Sequence, residues 1–225
     1  MNILTLVAGT NTPSNSLTLA NEFINGIRTI DGAETELIRL KDLSIEHFNL
    51  LHYKEDFVHE EDFIKIMNLI RRADGIVIAT PIWNFGVPAH LKNILDRLGS
   101  FALDETRSVG TLNGKPFYLI FTGGAPVAAW TGLMKKTTSS VPEAIKYFGG
   151  SICSIHFEPR CTIGKGQFGL VVDKRPESLS HMNKEGIQFA NLVKQFTKSG
   201  KLPVKQNITN KMYWFGRNVI NKITN

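Results

Sequence analysis

The chain has 225 residues, 42% of them hydrophobic, and a formal net charge of +6 at pH 7. This length suits one α/β domain, and no apolar stretch reaches the ~20 residues that a membrane-spanning helix needs. Of the 26 basic residues, five lie in the acid-free segment 201–225, which leaves 21 basic against 20 acidic residues elsewhere. A basic nucleic-acid-binding face on the main domain is therefore not supported, and no nucleic-acid partner is expected.

The two cysteines, Cys153 and Cys161, have neither CxxC nor metal-ligand spacing, and no secretory leader precedes the first strand. Free thiols in a cytoplasmic protein are therefore expected. Histidines show no clear metal spacing either, so no metal site is predicted. Four of them are interpreted as surface or loop residues: His47, His52, His59 and His90.

The first predicted strand is the apolar run from Ile3 to Ala8, which Gly9 ends. Hydroxyl and amide side chains then fill residues 9–16. A helix should follow, because apolar residues recur at helical spacing. These residues are Leu17, Ala20, Ile24 and Ile27.

The loop over residues 9–16 is suited to a phosphate group. Free N–H groups and the positive end of the helix dipole lie at a helix N-terminus, and the loop adds donors without charge. The same residue types cap helices when no anion is bound, so capping is the alternative. The loop is neither a Rossmann fingerprint nor a Walker loop. Its candidate donors are Thr10, Thr12, Ser14, Asn15 and Ser16.

The clearest strand–turn–helix unit begins at Gly75. The run from Gly75 to Ala79 is apolar, as expected of a strand buried on both faces. This strand is predicted to end at Thr80, because Pro81 cannot donate to a ladder. Pro88 suits the first turn of the next helix. The apolar face of that helix consists of Leu91, Ile94, Leu95 and Leu98.

The turn of this unit, residues 81–86, carries two large aromatic side chains where turns usually carry small polar ones. Trp83 and Phe85 flank Asn84. Ligands of open α/β sheets bind beyond the carboxyl ends of the strands, where this turn is expected. We predict that a flat ligand lies against the turn; packing of both rings beneath a neighbouring loop is the alternative.

Strands and helices continue to alternate along the chain. Parallel strands need crossovers of this length, so the pattern predicts an α/β, doubly wound, five-stranded parallel sheet with helices on both faces. The other predicted strands cover residues 34–40, 115–121 and 151–157, and the other helices cover 63–70, 142–148 and 187–196.

With strand order 2-1-3-4-5, three loops meet in one crevice: residues 9–16, 81–86 and 122–126. A phosphate loop, an aromatic turn and a Gly-Gly turn together suit a phosphorylated planar ring. Residues 162–169 are expected to form a linker loop, with a cover over the ligand as the alternative.

The central stretch resembles that of the flavodoxin-like NAD(P)H-dependent FMN reductases and their azoreductase and quinone reductase relatives. The match comprises the strand, its Pro-x-aromatic-Asn turn and the Pro-x-x-Leu-Lys-Asn-x-x-Asp helix. The segment from Phe101 to Lys115 further resembles the azoreductase branch. Two departures concern the substrate side: Thr12 stands where arginine is frequent, and Ile82-Trp83 replaces Glu-Tyr.

The resemblance implies an FMN-dependent oxidoreductase. It would take hydride from NADH or NADPH and pass it to a small-molecule acceptor, such as a quinone, an azo or nitro compound, or free flavin. Because FMN carries the chemistry, no protein acid, base or metal is required, and Trp83 and Asn84 are the only candidates for a direct role. The implied FMN-binding residues are Thr10, Thr12, Ser14, Asn15 and Ser16 at the phosphate, Pro81, Ile82, Trp83, Asn84 and Phe85 along the ring, and Thr122, Gly123 and Gly124 at the ring's other polar edge.

Two alternatives stay open. A non-enzymatic electron carrier or flavin-binding regulatory protein would use the same fold without a nicotinamide site. The chain divides into an FMN-binding domain, residues 1–200, and a basic tail, residues 201–225, predicted to form an amphipathic helix. The resemblance implies a homodimer that buries the apolar stripe of this tail, and contact with an anionic membrane is the alternative. The stripe consists of Ile208, Met212, Phe215, Val219 and Ile223.

Overall fold

A computed structural model describes residues 1–164 and 167–203. Its five strands form one parallel sheet in the order β2-β1-β3-β4-β5, which confirms the predicted topology. The strands are β1 (Asn2–Val7), β2 (Glu34–Arg39), β3 (Gly75–Pro81), β4 (Pro116–Thr122) and β5 (Ser151–Glu158). The predicted amphipathic tail covers residues 201–225, of which residues 204–225, including its whole apolar stripe, lie outside the described residues.

Helices cover both faces of the sheet, as predicted. Helices α2, α3 and α4 pack on one face, and α1 and α5 pack on the other. None of the helices in the described ranges has the length and apolar character to cross a membrane. The helices are α1 (Asn15–Arg28), α2 (Glu61–Arg72), α3 (Ala89–Arg97), α4 (Ser140–Tyr147) and α5 (Pro176–Ser199).

The central strands are apolar throughout because each face of the sheet has its own core. In β3, Ile76 and Ile78 point towards α2 and α3, whereas Val77 and Ala79 point towards α1 and α5. This alternation follows from the two-residue period of a strand. Burial on both faces therefore explains why the run could be recognised in the sequence.

Most predicted boundaries lie within one or two residues of the observed ones, and two of the differences have a clear physical reason. Strand β3 continues to Pro81, which pairs with Thr122, because the next N–H, that of Ile82, donates to the Thr122 carbonyl at 2.8 Å. A proline at the last strand position thus removes no necessary ladder bond. Helix α5 begins at Pro176, well before the predicted residues 187–196. Its first half was missed because it has only two large apolar side chains ahead of Ile187, Leu179 and Met182, which are too few to reveal a helical period in the sequence.

A helical stretch between β4 and α4 was not predicted. It consists of a short α-helix (Val127–Ala129), a π-helix (Trp130–Met134) and a second α-helix (Lys135–Thr137). Only Trp130 and Met134 in this stretch are buried hydrophobic residues. Two buried side chains in eleven residues are too few to reveal a helical period in the sequence.

The backbones of α1 and α5 are in direct contact through two glycines. A Cβ atom on Gly26 would lie 2.0 Å from the carbonyl oxygen of Asn183, and one on Gly186 would lie 2.0 Å from that of Phe23. Each glycine thus faces main-chain atoms of the other helix. Because main-chain atoms cannot rotate away, a larger residue at either position must separate the helices.

We expect Gly186→Ala to lower the free energy of unfolding by about 1–3 kcal/mol, the usual cost of overpacking. The loss should occur although alanine favours a helix over glycine by about 1 kcal/mol. Urea unfolding measures the difference. The control is Gly132→Ala, since a Cβ there has no neighbour within 4 Å. Equal stability of the two variants would contradict the close contact.

Candidate functional site

The structure brings the three predicted loops together in one cleft beyond the carboxyl ends of β1, β3 and β4. A fourth segment, which follows β5, closes the side of the cleft. The lining residues are Gly9, Asn11, Ser14, Asn15 and Ser16 from the first loop, Pro81, Ile82 and Trp83 from the second, Thr122, Gly123 and Gly124 from the third, and Cys161, Phe168 and Gly169 from the fourth segment.

An adjoining apolar depression extends the cleft past the turn after β3. It is lined by Asn11, Ile82, Trp83, Asn84 and Phe168. Three predicted site residues line neither cavity as the structure describes them: Thr10, which is partly buried, and Thr12 and Phe85, which are exposed.

The first loop is built around two buried serines. Ser14 caps α1, because its Oγ accepts a hydrogen bond from the Leu17 N–H at 3.3 Å, and its hydroxyl lies 3.1 Å from that of Ser16. A Cβ on Gly9 would lie 2.3 Å from the Ser16 Oγ and 2.8 Å from the Ser14 Oγ. Glycine is therefore required where β1 passes the two hydroxyls. The first turn of α1 contains no acidic residue, so its positive end has no internal counter-charge.

Three basic side chains hold the outer side of this loop. Arg39 donates through Nη2 to the Asn11 carbonyl at 2.9 Å, and His90 Nε2 donates to the Ala8 carbonyl at 2.7 Å. Lys41 Nζ donates to the Thr12 hydroxyl at 3.3 Å. These bonds occupy the carbonyls of Ala8 and Asn11, and Arg39 and Lys41 place positive charge beside the cleft.

Asn15 has a structural role that its sequence position did not reveal. Its Nδ2 donates to the Gly169 carbonyl at 2.8 Å, and its Oδ1 accepts from the N–H groups of Val171 at 2.9 Å and Val172 at 3.2 Å. The side chain therefore fastens the segment after β5 to the start of α1. The Asn15 amide oxygen is therefore occupied, and a ligand can use the main chain of Asn15 and the second N–H of Nδ2.

The turn after β3 is a tight hairpin turn of type I′. Trp83 and Gly86 exchange two main-chain hydrogen bonds of 2.9 Å. The central residues, Asn84 and Phe85, have φ angles of 49° and 64°. This turn requires positive φ at both positions, which asparagine accepts but which costs phenylalanine about 1–2 kcal/mol. The strained turn presents Asn84 beside the cleft and leaves Phe85 57% exposed.

Several main-chain donors around the cleft already have partners. The Ile82 N–H donates to Thr122, the Trp83 N–H donates to Gly86, and the Gly123 N–H donates to the Glu158 carbonyl at 3.0 Å. A Cβ on Gly124 would lie 2.9 Å from the Cγ2 of Thr162. The third loop therefore offers a ligand the main chain of Gly124, and Thr162 occupies the space where a side chain would project.

The segment after β5 is held by the buried carboxylate of Glu158. Arg175 Nη1 donates to its Oε1 at 2.8 Å, the Ser178 hydroxyl donates to the same oxygen at 3.0 Å, and His156 Nε2 lies 3.3 Å from Oε2. Burial raises the pKa of Glu158, but these hydrogen bonds outweigh it and the pKa lies below its ordinary value. Beside this cluster, burial raises the pKa of the Cys161 thiol to about 12.

Five cleft residues were not among the predicted site residues. Gly9 and Asn11 lie in the predicted loop, but glycine and asparagine are common in any turn. Phe168 and Gly169 belong to the loop over residues 162–169, which was predicted to be a linker, with a cover over the ligand as the alternative. The signal for a cover was a phenylalanine in a largely polar loop. Cys161 gave no signal, because its place in the cleft depends on the hydrogen bond from its N–H to the Gly123 carbonyl.

Proteins of similar sequence are FMN-dependent oxidoreductases by name. The sequence model of the NADPH-dependent FMN reductase family matches residues 1–133. An FMN-dependent NADH:quinone oxidoreductase of Cereibacter sphaeroides (strain ATCC 17029 / ATH 2.4.9) is 41% identical over 69 residues, which are 28% of this chain and 35% of that protein. The chain thus spans about a third of that relative. A protein of the same name from Coprothermobacter proteolyticus is 29% identical over 200 residues, 83% of this chain and 94% of the relative.

Solved structures agree with this fold. An NAD(P)H:quinone oxidoreductase from Methanothermobacter marburgensis has a TM-score of 0.67 at 18% identity, and the match covers 84% of this chain and 96% of the other. An azoreductase from Bacillus anthracis str. Sterne has a TM-score of 0.63 at 17% identity over 85% and 99% of the two chains. At such identities the likeness concerns the fold alone.

The Glu158 cluster predicts how stability depends on pH. A carboxyl group with a lowered pKa stabilises the folded state above its unfolded-state pKa, and this contribution is lost as the pH falls through the folded-state value. We therefore expect Glu158→Gln to cost about 1.5–3 kcal/mol at neutral pH, typical of hydrogen bonds to a charged group, and less below the ordinary pKa of 4.5. Urea unfolding at several pH values measures both.

The control for this prediction is Glu143→Gln. The Glu143 side chain is 50% exposed and pairs with Lys146 on the surface of α4, where an ion pair contributes little. A pH-independent difference between wild type and Glu158→Gln would contradict the assignment of a charged Glu158.

Proposed function

The chain belongs to the NADPH-dependent FMN reductase family, and from this premise we propose that it binds FMN and catalyses hydride transfer from NADH or NADPH to a quinone. The observation that carries the proposal is the cleft, where the acid-free N-terminus of α1 lies at one end and the Trp83 turn at the other. One end suits a dianionic phosphate and the other a flat aromatic ring.

The first loop fits the phosphate of FMN. Ser14 and Ser16 offer hydroxyl donors, and the first N–H groups of α1 have no carbonyl within the helix to bond. A phosphate accepts such donors while the helix dipole favours its charge. Arg39 and Lys41 strengthen the positive potential without entering the cleft. Neither Thr10 nor Thr12 lines the cleft, so we propose that they lie near the phosphate without contacting it.

The second and third loops fit the isoalloxazine ring. Ile82, Trp83 and Phe168 offer apolar surface for its faces and exclude water from it. Asn84 supplies a side-chain amide for one polar edge. The Gly124 main chain supplies an N–H for the other. Pro81, Thr122 and Gly123 shape the wall, and Phe85 stands at the rim.

When bound, FMN would supply the redox chemistry, that is, hydride transfer from the nicotinamide to the acceptor. The protein's part is to place both substrates in turn against one face of the ring and to exclude water. The apolar depression beside Trp83 and Asn84 is the proposed place for the acceptor. The names of the relatives favour a quinone; azo compounds, nitro compounds and free flavin are the other candidates.

An electron carrier of flavodoxin type is the second candidate function, and the names of the relatives do not favour it. Within the first candidate, we further propose a cytoplasmic homodimer. The two free cysteines support the cytoplasmic location. The exposed apolar side chains of Val127, Leu133 and Phe168 support a surface that a second subunit covers. Contact of the tail with a membrane stays the alternative. Residues 1–200 would form the FMN-binding domain.

We expect the purified protein to contain FMN, identified by mass spectrometry of the released ligand. Under anaerobic conditions NADH or NADPH should bleach the flavin absorbance, and a quinone should restore it. Because a carrier has no nicotinamide site, its flavin would stay oxidised. FAD as the ligand, or no binding of added FMN, would contradict the enzyme and the carrier alike.

Gly9→Ala tests the phosphate site. A methyl group there displaces the hydroxyls of Ser14 and Ser16, and losing one hydrogen bond to a charged group costs about 1.5–3 kcal/mol. The Kd for FMN, measured by fluorescence quenching, should therefore rise at least about tenfold. Gly132→Ala is the control and should leave the Kd unchanged, and the Tm of each apoprotein verifies folding. Wild-type affinity in Gly9→Ala would remove the two serines from the site.

A further inference from the structure

A second cluster of polar side chains lies away from the cleft, in the segment between β2 and α2. Glu46, His52 and Glu60 each place one possible ligand atom there, and the three atoms lie within 4.8 Å of one another. The hydride chemistry proposed above uses none of these residues. The segment packs against α3, where Tyr53 donates to the Asp96 carbonyl at 2.6 Å.

His52 is the unusual member of the cluster. It was interpreted as a surface or loop residue; it lies in the connection between β2 and α2 but is completely buried. Its Nε2 has no hydrogen-bond partner in the part of the chain that the structure describes. This nitrogen lies 3.7 Å from Glu46 Oε2, beyond hydrogen-bond distance. A buried polar atom without a partner costs about 1–3 kcal/mol, so a ligand that satisfies it would stabilise this segment.

The imidazole is oriented so that Nε2 can bind a ligand. Its Nδ1 accepts a hydrogen bond from the Asn49 N–H at 2.9 Å in one tautomer, and in the other tautomer it donates to the Asn49 carbonyl at 3.0 Å; metal binding at Nε2 selects the second tautomer. A proton on Nδ1 can therefore be donated to the carbonyl, which leaves the Nε2 lone pair free, as in most metal-binding histidines. The ring of Phe57 packs edge-on at 4.6 Å and fixes the plane of the imidazole.

Glu60 is held in a fixed orientation by hydrogen bonds. Both of its oxygens accept hydrogen bonds from the fully buried Arg97, and Oε1 also accepts from the Glu46 N–H at 2.6 Å. His59 stacks on His52, but its Nδ1 accepts from Arg97 at 2.9 Å and is therefore not free for a ligand.

From this geometry we propose that Glu46, His52 and Glu60 bind a divalent transition metal ion of the Zn²⁺ class. One imidazole nitrogen and two carboxylate oxygens are the ligand types that Zn²⁺ takes, with water in the remaining position. The two carboxylates and Arg97 carry a net charge of −1, which favours a divalent cation. The Glu46 side chain is 66% exposed and gives the ion a path from solvent.

The ion would have a structural role. It would join the start of the segment, at Glu46, to its end at Glu60, just before α2. Arg97 lies eight residues along α3 from Ala89, so about 12 Å of helix separates the cluster from the end of α3 nearest the cleft. None of the three proposed ligands lines the cleft or the adjoining depression.

The experiment is isothermal titration of Zn²⁺ into the full-length, untagged protein after dialysis against EDTA. We expect one ion per chain, and Glu46→Gln should raise the Kd at least tenfold, since loss even of an outer residue at a metal site costs about 10–100-fold. The matched control is His47→Asn, an exposed histidine next to Glu46, which should keep the wild-type Kd. Mg²⁺ should bind far more weakly, because it prefers an all-oxygen octahedral shell.

His52→Asn should also abolish tight binding. Because His52 is buried, the variant His52→Asn can misfold. In that case the variant Glu46→Gln, which changes an exposed residue, tests the proposal. Bound Zn²⁺ should raise the Tm of the wild type and not that of Glu46→Gln. The proposal is overturned if the wild type binds no Zn²⁺ at one equivalent, or if Glu46→Gln and His47→Asn have the same Kd as the wild type.

Discussion

The parallel pairing of β1 with β3 is the constraint on which the rest of this molecule depends. The N–H of Ala8 still donates to the carbonyl of Ala79 at 2.8 Å, one residue beyond the end of β1. The loop after β1 and the turn after β3 must therefore leave the sheet side by side. After β1 the chain continues towards β2 on one side, and after β3 it continues towards β4 on the other side. The two connections therefore leave the sheet in opposite directions, and the cleft opens between them.

The cleft keeps its shape because residues outside it bind its main chain. Arg39 and His90 hold the loop carbonyls from behind, and Asn15 ties the segment after β5 to the start of α1. Donors that face the cleft are left for a ligand. The same arrangement explains why polar residues of the loop do not all serve the site: some of them are used to build it.

Much of the fold could be predicted because its signals are local. Strands buried on both faces are continuous apolar runs, and helices packed on a sheet repeat every three or four residues. The prediction failed where these signals were weak, as in the first half of α5 and the helical stretch at Trp130. The loops that form the candidate site were predicted correctly as a group, but the individual residues only in part. Thr12 and Phe85 belong to these loops and are of the expected residue types, yet they do not face the cleft.

The sequence by itself determined the alternation of strands and helices, the polar loop before α1 and the aromatic turn after β3, because each depends on neighbours along the chain. Tertiary structure alone decided which side chains converge. Phe168 enters the cleft through bonds from Asn15 to residues more than 150 positions away, and His52 becomes buried beside Glu60 by packing on α3. No local pattern records such contacts, since they depend on the distances between elements after folding.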